Sequence, residues 1–362
     1  MSSITAPHNG AIAFDALRRI LLIRLSALGD ILLMTPLLNL LRATCPQAQI
    51  DVLVKTEYRD LLRAHPGIAR LLTFDSRQPL LRMVRRLRAD RYDLALDLHC
   101  TPRSQFLLRG LRARRKLVYN KRVLRRALLV RLGWNTLQRM TPVPELYAAP
   151  LRHLGLTGRL DAPTMYLEPH SMEAMQTHIA RSLPGAPNQP LLAVAPGARW
   201  STKRWPVERF AAVAQELAQE EQAAIVILGG PDEAQLARAM RDKLDVPVVN
   251  GVGTLSLMHS AALLSRCRLL ISNDSGLMHM ATALQVPVVA VFGPTVQEFG
   301  FYPFQARSEV VSEPLSCRPC STKGSRRCPR RHHACMQDLS SARVLAAARA
   351  MWGSESRHAN LP

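Results

Sequence analysis

A polar turn in the second half of the chain combines residue types that bind phosphate groups. Asp274, Ser275 and Gly276 follow the apolar run 269–271, and His279 lies one turn further along a predicted helix. A helix that begins where a parallel strand ends offers backbone N–H groups and a partial positive charge to an anion. The turn therefore predicts either a phosphate site or an ordinary helix capped by Asp274 and Ser275.

A basic loop follows the predicted strand Leu191–Ala195 and could serve the same anion. Its side chains Arg199 and Lys203 could neutralise a phosphate as a leaving group departs. A solvated basic loop is the alternative. We expect Trp205, which precedes Pro206, to pack the loop rather than to stack on a ligand.

Two acidic residues, Asp232 and Glu233, follow the predicted strand Ala224–Leu228 and the glycines of the turn after it. Either carboxylate could accept hydrogen bonds from ribose hydroxyls. Helix capping is the alternative, and the sequence does not choose between the two residues.

The first half of the chain offers a candidate base and two candidate substrate contacts. Asp30 follows the predicted strand Ile20–Leu25 at the start of a helix, where it could act as a general base or cap the helix. His99 and Arg103 follow the predicted strand Leu94–Leu98 and could contact an anionic or hydroxyl-bearing substrate. The alternatives are a structural histidine and a solvated arginine.

The C-terminal region contains four cysteines, of which the first two have C-x-x-C spacing: Cys317, Cys320, Cys328 and Cys335. Such a set could hold a structural zinc ion, with His332 and His333 as alternative ligands. Free thiols or a redox-sensitive pair are the other interpretations, because the second pair lacks the C-x-x-C spacing. We expect no catalytic metal at this basic loop.

Short apolar runs alternate with helical patterns along both halves of the chain, which indicates βαβ units and parallel sheets. In the first half the predicted helices include 31–43 and 58–64. The rhythm breaks around residues 160–190 and then restarts. We therefore predict an α/β fold with two Rossmann-like, doubly wound domains, at 18–170 and 185–340, facing an interdomain cleft. A last helix at 341–352 is expected to pack back on the first domain.

The net charge of +21 over 362 residues is concentrated in the first half. Residues 1–165 carry 28 Lys or Arg and 11 Asp or Glu, a net charge of +17. The basic runs are centred on 82–88, 109–116 and 121–126, and such runs attract nucleic acid or anionic membrane surfaces. A nucleic-acid-binding protein is the less favoured interpretation, because we recognise no nucleic-acid-binding motif. The sequence has no apolar run long enough to span a bilayer and no recognisable signal peptide, so we expect a cytoplasmic protein.

Over residues 18–352 the chain resembles glycosyltransferase family 9, the lipopolysaccharide heptosyltransferases. The resemblance rests on the segments 23–32 (IRLSALGDIL), 203–206 (KRWP), 273–279 (NDSGLMH) and 292–295 (FGPT). The cysteine segment ending at Cys335-Met336 also resembles one branch of the family. The order and spacing of these motifs together are specific, although each one alone is modest.

This resemblance implies a GT-B architecture, in which the second domain holds a nucleotide-sugar and the first domain holds the acceptor. It implies transfer of a heptose from ADP-heptose to the lipopolysaccharide inner core, with inversion and without a required cofactor. Asp30 matches the family's general base and Lys203 matches the residue that meets the donor phosphates. The family's donor-binding turn is matched by Asp274, Ser275, Gly276 and His279. Its ribose-binding carboxylate is matched by Asp232 or Glu233. Ala198 and Arg199 depart from the hydroxyl residues of some members, which makes Arg199 a candidate substitute.

The resemblance also gives the basic first half a function. It implies an anionic acceptor at the inner face of the inner membrane. We therefore expect Arg59, Arg63, His99 and Arg103, with the run 82–88, to bind that acceptor or the membrane. Because Arg59 and Arg63 are four residues apart, they would share one face of an α-helix. A family member with a different nucleotide-sugar or surface-glycan acceptor is the alternative.

Overall fold

The computed structural model describes residues 12–353 except 138–139, 185 and 187, so Gly185 and Pro187 of the predicted linker lie outside the described residues. The chain divides into two compact units. The first unit comprises the chain up to Ser26, Met34–Lys121 and Val143–Asp161. The second comprises Ala27–Leu33, Arg122–Pro142 and the chain from Ala162 onwards. This grouping differs from the predicted ranges in that 27–33, 122–142 and 162–170 belong to the second unit.

Each unit is built on one parallel sheet. The strands of the first sheet are β1 Arg19–Ile23, β2 Gln49–Lys55, β3 Arg70–Phe74, β4 Arg91–Asp97 and β5 Arg112–Val118. The strands of the second sheet are β6 Leu191–Ala195, β7 Ala224–Ile227, β8 Val248–Asn250, β9 Leu269–Asn273, β10 Val288–Val291 and β11 Ser308–Val311. The strand orders are β3-β2-β1-β4-β5 and β11-β10-β9-β6-β7-β8.

Helices connect the strands. The α-helices are α1 Leu28–Leu32, α2 Thr35–Thr44, α3 Leu80–Ala89, α4 Pro102–Gly110, α5 Val123–Leu132, α6 Val143–Arg152, α7 Pro169–Ser182, α8 Val207–Glu220, α9 Ala234–Arg241, α10 Leu257–Ser265, α11 Gly276–Ala283, α12 Ala334–Gln337 and α13 Ser341–Gly353. Short 3-10 helices occupy Phe14–Ala16, Thr56–Leu62, Ser201–Lys203, Pro231–Glu233 and Gln297–Phe299. No helix within the described ranges is long and apolar enough to cross a membrane.

The central strands are continuous apolar runs. Strands β6, β7 and β10 are buried at every position, as expected for parallel strands that are covered on both faces. The expected fold class, α/β with the GT-B architecture of two doubly wound domains, is confirmed.

The strand order places a topological switch point in each sheet. The chain leaves β1 toward β2 on one side and returns at β4 on the other, and it does the same at β6 and β9. In each sheet, the loops that follow the two central strands lead to opposite sides of the switch point. This leaves room for a ligand at the carboxyl ends of those strands. In the second sheet these are the loops that carry Lys203 and Asp274.

Two predicted helices differ from the observed ones. The pattern 31–43 forms two helices, α1 and α2, because Pro36 in the first turn of α2 lacks an N–H group and favours a new helix start. The pattern 58–64 forms the 3-10 helix Thr56–Leu62.

The last helix, α13, packs on the second sheet, which corrects the expectation that it packs back on the first domain. Its buried residues Val344, Ala348 and Trp352 recur every four positions, so they share one face. That face joins the core around β9, β10 and α8. The side chain of Arg268 lies over the Trp352 ring and donates to the Trp352 carbonyl at 3.0 Å.

Candidate active site

Asn273, the last residue of β9, ties together the two loops at the switch point of the second sheet. Its buried amide donates to the carbonyl oxygens of Pro196 at 2.8 Å and Gly197 at 3.3 Å. Its side-chain oxygen accepts the Trp205 backbone N–H at 3.0 Å. The loop that carries Lys203 is thereby fixed beside the turn that carries Asp274. Sequence reasoning gave Asn273 no role, although it lies in the motif 273–279.

Lys203 and Asp274 form a nearly buried ion pair. The Lys203 Nζ atom lies 2.5 Å from Asp274 Oδ2, and their side chains are 13% and 8% exposed. The hydroxyl of Thr295 donates to the same carboxylate oxygen at 2.7 Å. Arg318 in turn donates to the Thr295 carbonyl at 2.9 Å. Sequence reasoning missed Thr295 and Arg318, although Thr295 ends the motif 292–295.

Helix α11 begins at this ion pair. Ser275 is its N-cap in position, but its side chain accepts no capping hydrogen bond. Asp274 directs its carboxylate to Lys203 and Thr295, so the predicted capping of the helix by these two side chains is wrong. The Ser275 hydroxyl is buried and has no hydrogen-bond partner among the described residues. The first N–H groups of a helix have no partner within it, so this end of α11 can accept an anion.

His279 lies in the middle of α11 and is buried as a neutral imidazole. Burial lowers its pKa to about 4, and Lys203 acts in the same direction, while Asp274 and Asp30 oppose the shift. Its Nδ1 atom is buried without a hydrogen-bond partner in the described part of the chain. His279 is thus uncharged at neutral pH, and the positive charge at this turn comes from Lys203 and the helix end.

Asp30 lies close enough to His279 to influence its pKa. It is the third residue of α1, and its carboxylate accepts the Ala27 backbone N–H at 3.4 Å, so it also caps that helix. Its segment was expected in the first domain, but it groups with the second unit. The reason is close packing between α1 and α11, where Leu28 faces Gly276 and Gly29 faces His279. The structure therefore brings Asp30, Lys203, Asp274 and His279 into one neighbourhood.

Gly29 leaves room for the His279 ring, which gives a testable requirement. A Cβ atom at residue 29 would lie 2.4 Å from His279 Cδ2. We expect Gly29→Ala to displace α1 and with it Asp30, and to lower kcat by about tenfold or more, because small misplacements of reacting groups are costly. Steady-state turnover checks this.

The same substitution at Gly353, where an added Cβ meets nothing within 4 Å, is the matched control and should leave turnover unchanged. Adding His279→Ala to Gly29→Ala should recover the thermal stability lost by the single variant. Wild-type kcat in Gly29→Ala would show that this contact does not position Asp30.

The structure separates the two candidate ribose carboxylates. Glu233 accepts the Gly230 backbone N–H at 2.9 Å, and its carboxylate lies against Gly197 and Gly229. A Cβ atom at Gly197 would lie 1.9 Å from Glu233 Oε1, so a larger residue there would force the Glu233 carboxylate to move. Asp232 is exposed. Glu233 therefore lies against the loop that leads to Lys203, and Asp232 faces solvent.

Arg199 stacks on Trp200. Its guanidinium carbon lies 5.6 Å from the centre of the Trp200 ring, and Lys323 Nζ lies 5.5 Å from the same centre. Trp205 is buried and packs edge-on against Phe210, which confirms the expectation that it packs the loop.

In the first unit, His99 and Arg103 follow β4 at the switch point of that sheet. The buried carboxylate of Asp97 accepts the backbone N–H groups of His99 at 2.8 Å and Cys100 at 3.1 Å, which fixes this loop. Burial raises the pKa of Asp97. Arg103 is exposed in the first turn of α4, with its guanidinium 5.7 Å from the centre of the Phe74 ring.

Arg59 and Arg63 are both exposed, but they do not share a helix face as expected. Arg59 lies in the 3-10 helix Thr56–Leu62, and Arg63 follows it. A 3-10 helix has three residues per turn, so side chains four apart point about a third of a turn away from each other.

The structural zinc site that the sequence offered as one interpretation of Cys317, Cys320, Cys328 and Cys335 is not supported. Within the described ranges, no group of three or more His, Cys, Asp or Glu is placed to hold a metal ion. All four thiols are free. Burial raises the pKa of Cys320 and raises that of Cys335 to about 12, and the neighbouring thiols add to both shifts.

The cysteine segment is held by hydrogen bonds. Arg318 donates to the carbonyls of Gly293 at 2.5 Å and Thr295 at 2.9 Å, and Cys320 N–H donates to Pro294 at 3.2 Å. The hydroxyl of Thr202 also donates to the Ser325 carbonyl at 2.9 Å. The segment thus braces Thr295, and through it the Lys203–Asp274 pair.

Comparison with known proteins decides the family. The family model described as glycosyltransferase family 9 (heptosyltransferase) matches residues 80–329. The chain belongs to glycosyltransferase family 9. A lipooligosaccharide heptosyltransferase 2 from Haemophilus ducreyi is 30% identical over 293 residues, which is 76% of this chain and 84% of that protein.

Solved structures of family members share the fold. A family 9 glycosyltransferase from Veillonella parvula aligns with a TM-score of 0.78 at 22% identity, over 95% of this chain and 99% of that one. The ADP-heptose lipopolysaccharide heptosyltransferase II of Escherichia coli aligns with a TM-score of 0.73 at 24% identity, over 92% and 98%. Membership of glycosyltransferase family 9 makes the chain an enzyme that transfers a sugar. The cluster around Lys203 and Asp274 is its candidate active site.

Proposed function

We propose that this glycosyltransferase moves a heptose from ADP-heptose to the inner core of lipopolysaccharide, with inversion at the anomeric carbon. The observation that carries the proposal is the neighbourhood of Asp30, Lys203, Asp274 and His279 at the N-terminus of α11. These residues supply a base, a buried cation and a helix N-terminus. Such groups assist the displacement of a nucleoside diphosphate from C1 of a sugar by an acceptor hydroxyl. The names of the family relatives support heptose as the sugar and a lipopolysaccharide or lipooligosaccharide core as the acceptor.

The reaction is a single displacement. The Asp30 carboxylate takes the proton of an acceptor hydroxyl as that oxygen forms a bond to C1 of the heptose. The bond from C1 to the diphosphate oxygen breaks, and its electron pair leaves with ADP. The Lys203 ammonium and the N-terminal N–H groups of α11 stabilise the negative charge that grows on the diphosphate. Attack from the face opposite the leaving group inverts the anomeric centre.

Glu233 is the proposed ribose ligand, because its carboxylate lies against Gly197 whereas Asp232 faces solvent. We expect Glu233→Gln to raise the KM for ADP-heptose by about tenfold or more, since hydrogen bonds to a charged group contribute about 1.5–3 kcal/mol. The glutamine keeps one oxygen to accept the Gly230 N–H, so the loop should stay folded. Steady-state kinetics with varied donor concentration measures the change.

Asp232→Asn is the matched control and should change the KM less than twofold. The reverse pattern, with Asp232→Asn impaired and Glu233→Gln normal, would transfer the ribose role to Asp232.

The acceptor side of the proposal rests on the first unit. Exposed Arg59, Arg63 and Arg103 and the half-buried His99 would meet carboxylates and phosphates of the core at the inner face of the inner membrane. Arg199, stacked on Trp200, is a further candidate for the donor phosphates.

An assay of purified enzyme with ADP-heptose and truncated lipopolysaccharides of defined core length tests the function. Release of ADP with transfer of heptose to one of these acceptors is the expected result. Transfer only from another nucleotide-sugar, or only to another glycan, would instead identify a family member with a different specificity.

A further inference from the structure

Helix α5 exposes large apolar side chains to solvent and buries an arginine, which is the reverse of an ordinary surface helix. Leu124 is 80% exposed and Val123 is 63% exposed, whereas Arg126 is buried. At the end of the helix Leu132 is 56% exposed, and Trp134 in the following loop is 64% exposed. Large apolar side chains gathered on one exposed segment mark an interaction surface more often than a solvated one.

The buried side of α5 explains why this orientation is fixed. Arg126 donates to the Phe299 carbonyl at 3.0 Å and stacks on the rings of Phe299 and Phe301. Leu129, one turn further on, packs in the same cluster with Phe299. On a helix with 3.6 residues per turn, Leu124 and Arg131 then lie on the opposite side. The helix is therefore anchored by its arginine and turns its leucine outward.

The charge around this segment indicates what covers it. Residues 122–142, the part of the second unit that contains α5, include five Arg and no Asp or Glu. Arg125 and Arg131 of α5 are exposed beside Leu124 and Leu132. Exposed leucine, valine and tryptophan with arginines between them are the composition of a segment that lies in the headgroup region of an anionic membrane. A nucleic acid would match the arginines but would leave the aliphatic side chains in water.

We propose that α5 and the loop 133–137 form a membrane-docking segment that inserts Leu124, Leu132 and Trp134 into the interface of an anionic bilayer. The inference deepens the proposed function, on which it rests, by naming the element that brings the enzyme to a membrane-held acceptor. It differs from the run 82–88, which the sequence suggested for docking. Insertion at α5 depends on apolar side chains as well as on charge.

Binding to vesicles tests the proposal. The full-length protein should bind vesicles of phosphatidylglycerol and phosphatidylethanolamine and should bind phosphatidylcholine vesicles weakly. We expect Leu124→Ser/Trp134→Ser to weaken binding to the anionic vesicles by about tenfold or more, because two large side chains lose their burial in lipid. Leu81→Ser, at a 58% exposed leucine beside the run 82–88, is the matched control and should bind like the wild type.

Tryptophan fluorescence gives a second, local readout. Trp134 is 64% exposed, whereas Trp205 and Trp352 are buried and Trp200 is half-buried. The largest blue shift on adding vesicles should therefore come from Trp134 and should be lost in Trp134→Phe. Unchanged vesicle binding by Leu124→Ser/Trp134→Ser, or a larger loss in Leu81→Ser, would overturn the proposal. A wild-type dimer that becomes monomeric in the double variant would overturn it in favour of an interface between two copies.

Two controls separate this proposal from the proposed function. The Asp30→Asn variant should bind vesicles like the wild type, and Leu124→Ser/Trp134→Ser should keep its kcat on a water-soluble truncated acceptor. If the wild type binds vesicles but transfers no heptose, the proposed function fails and the docking segment stands. If it transfers heptose but does not bind vesicles, the docking segment fails alone.

Discussion

Asp30→Asn should retain donor binding and lose turnover by on the order of 10²–10⁴, the usual contribution of a positioned general base. Asparagine has nearly the same shape and can still accept the Ala27 N–H that Asp30 accepts, so α1 should keep its place. It cannot take a proton from the acceptor hydroxyl. The expected loss therefore falls on kcat and leaves the dissociation constant of ADP nearly unchanged.

Calorimetric titration with ADP and steady-state assays with ADP-heptose and a truncated acceptor measure the two quantities. Asp232→Asn is the matched control, because it makes the same chemical change at an exposed carboxylate in the same unit. If Asp30→Asn turned over at the wild-type rate, another group would be the base. A parallel loss of ADP binding would instead assign Asp30 a role in holding the donor.

The sequence predicted the two sheets because buried parallel strands are short apolar runs that stand out against helical periodicity. It predicted β5 least well, since Arg112, Arg114, Arg115 and Lys116 interrupt the apolar pattern of an edge strand that alternates between exposed and half-buried positions. Helices α5 and α6 were missed as well, because basic residues and prolines obscure their periodicity.

The residues of the donor turn were predicted because strand, polar turn and helix are consecutive in the sequence. Lys203 was predicted to serve the same anion, but its ion pair with Asp274 was not predicted. Thr295 and Arg318 were missed altogether. These residues meet only when separate βα loops converge at the switch point. The same reason explains Asp30. Local pattern placed it after a first-domain strand, and only the packing of Gly29 against His279 groups its segment with the second unit.

Lys203→Met should lower kcat by on the order of 10²–10³, the usual loss when a charge-stabilising group is removed from a transition state. The same substitution leaves the Asp274 carboxylate buried with the Thr295 hydroxyl but without its cation. Breaking a buried ion pair in this way costs on the order of 3 kcal/mol of unfolding free energy. Loss of turnover and loss of stability therefore occur together in the single variant.

The double variant Lys203→Met/Asp274→Asn separates the two effects, because it removes the unpaired charge. We expect its urea-unfolding free energy to recover most of the loss while its kcat stays as low as that of Lys203→Met. Thr295→Val is the matched control, since it removes one hydrogen bond to the same carboxylate but keeps the Lys203 charge. It should cost about 1.5–3 kcal/mol of stability with only a small change in kcat. The contrary outcome is a kcat in the double variant that equals the kcat of Asp274→Asn alone and lies well above that of Lys203→Met. Lys203 would then serve only as the counter-ion of Asp274. A kcat that stays low while stability returns would indicate that the Lys203 ammonium stabilises the negative charge of the departing diphosphate.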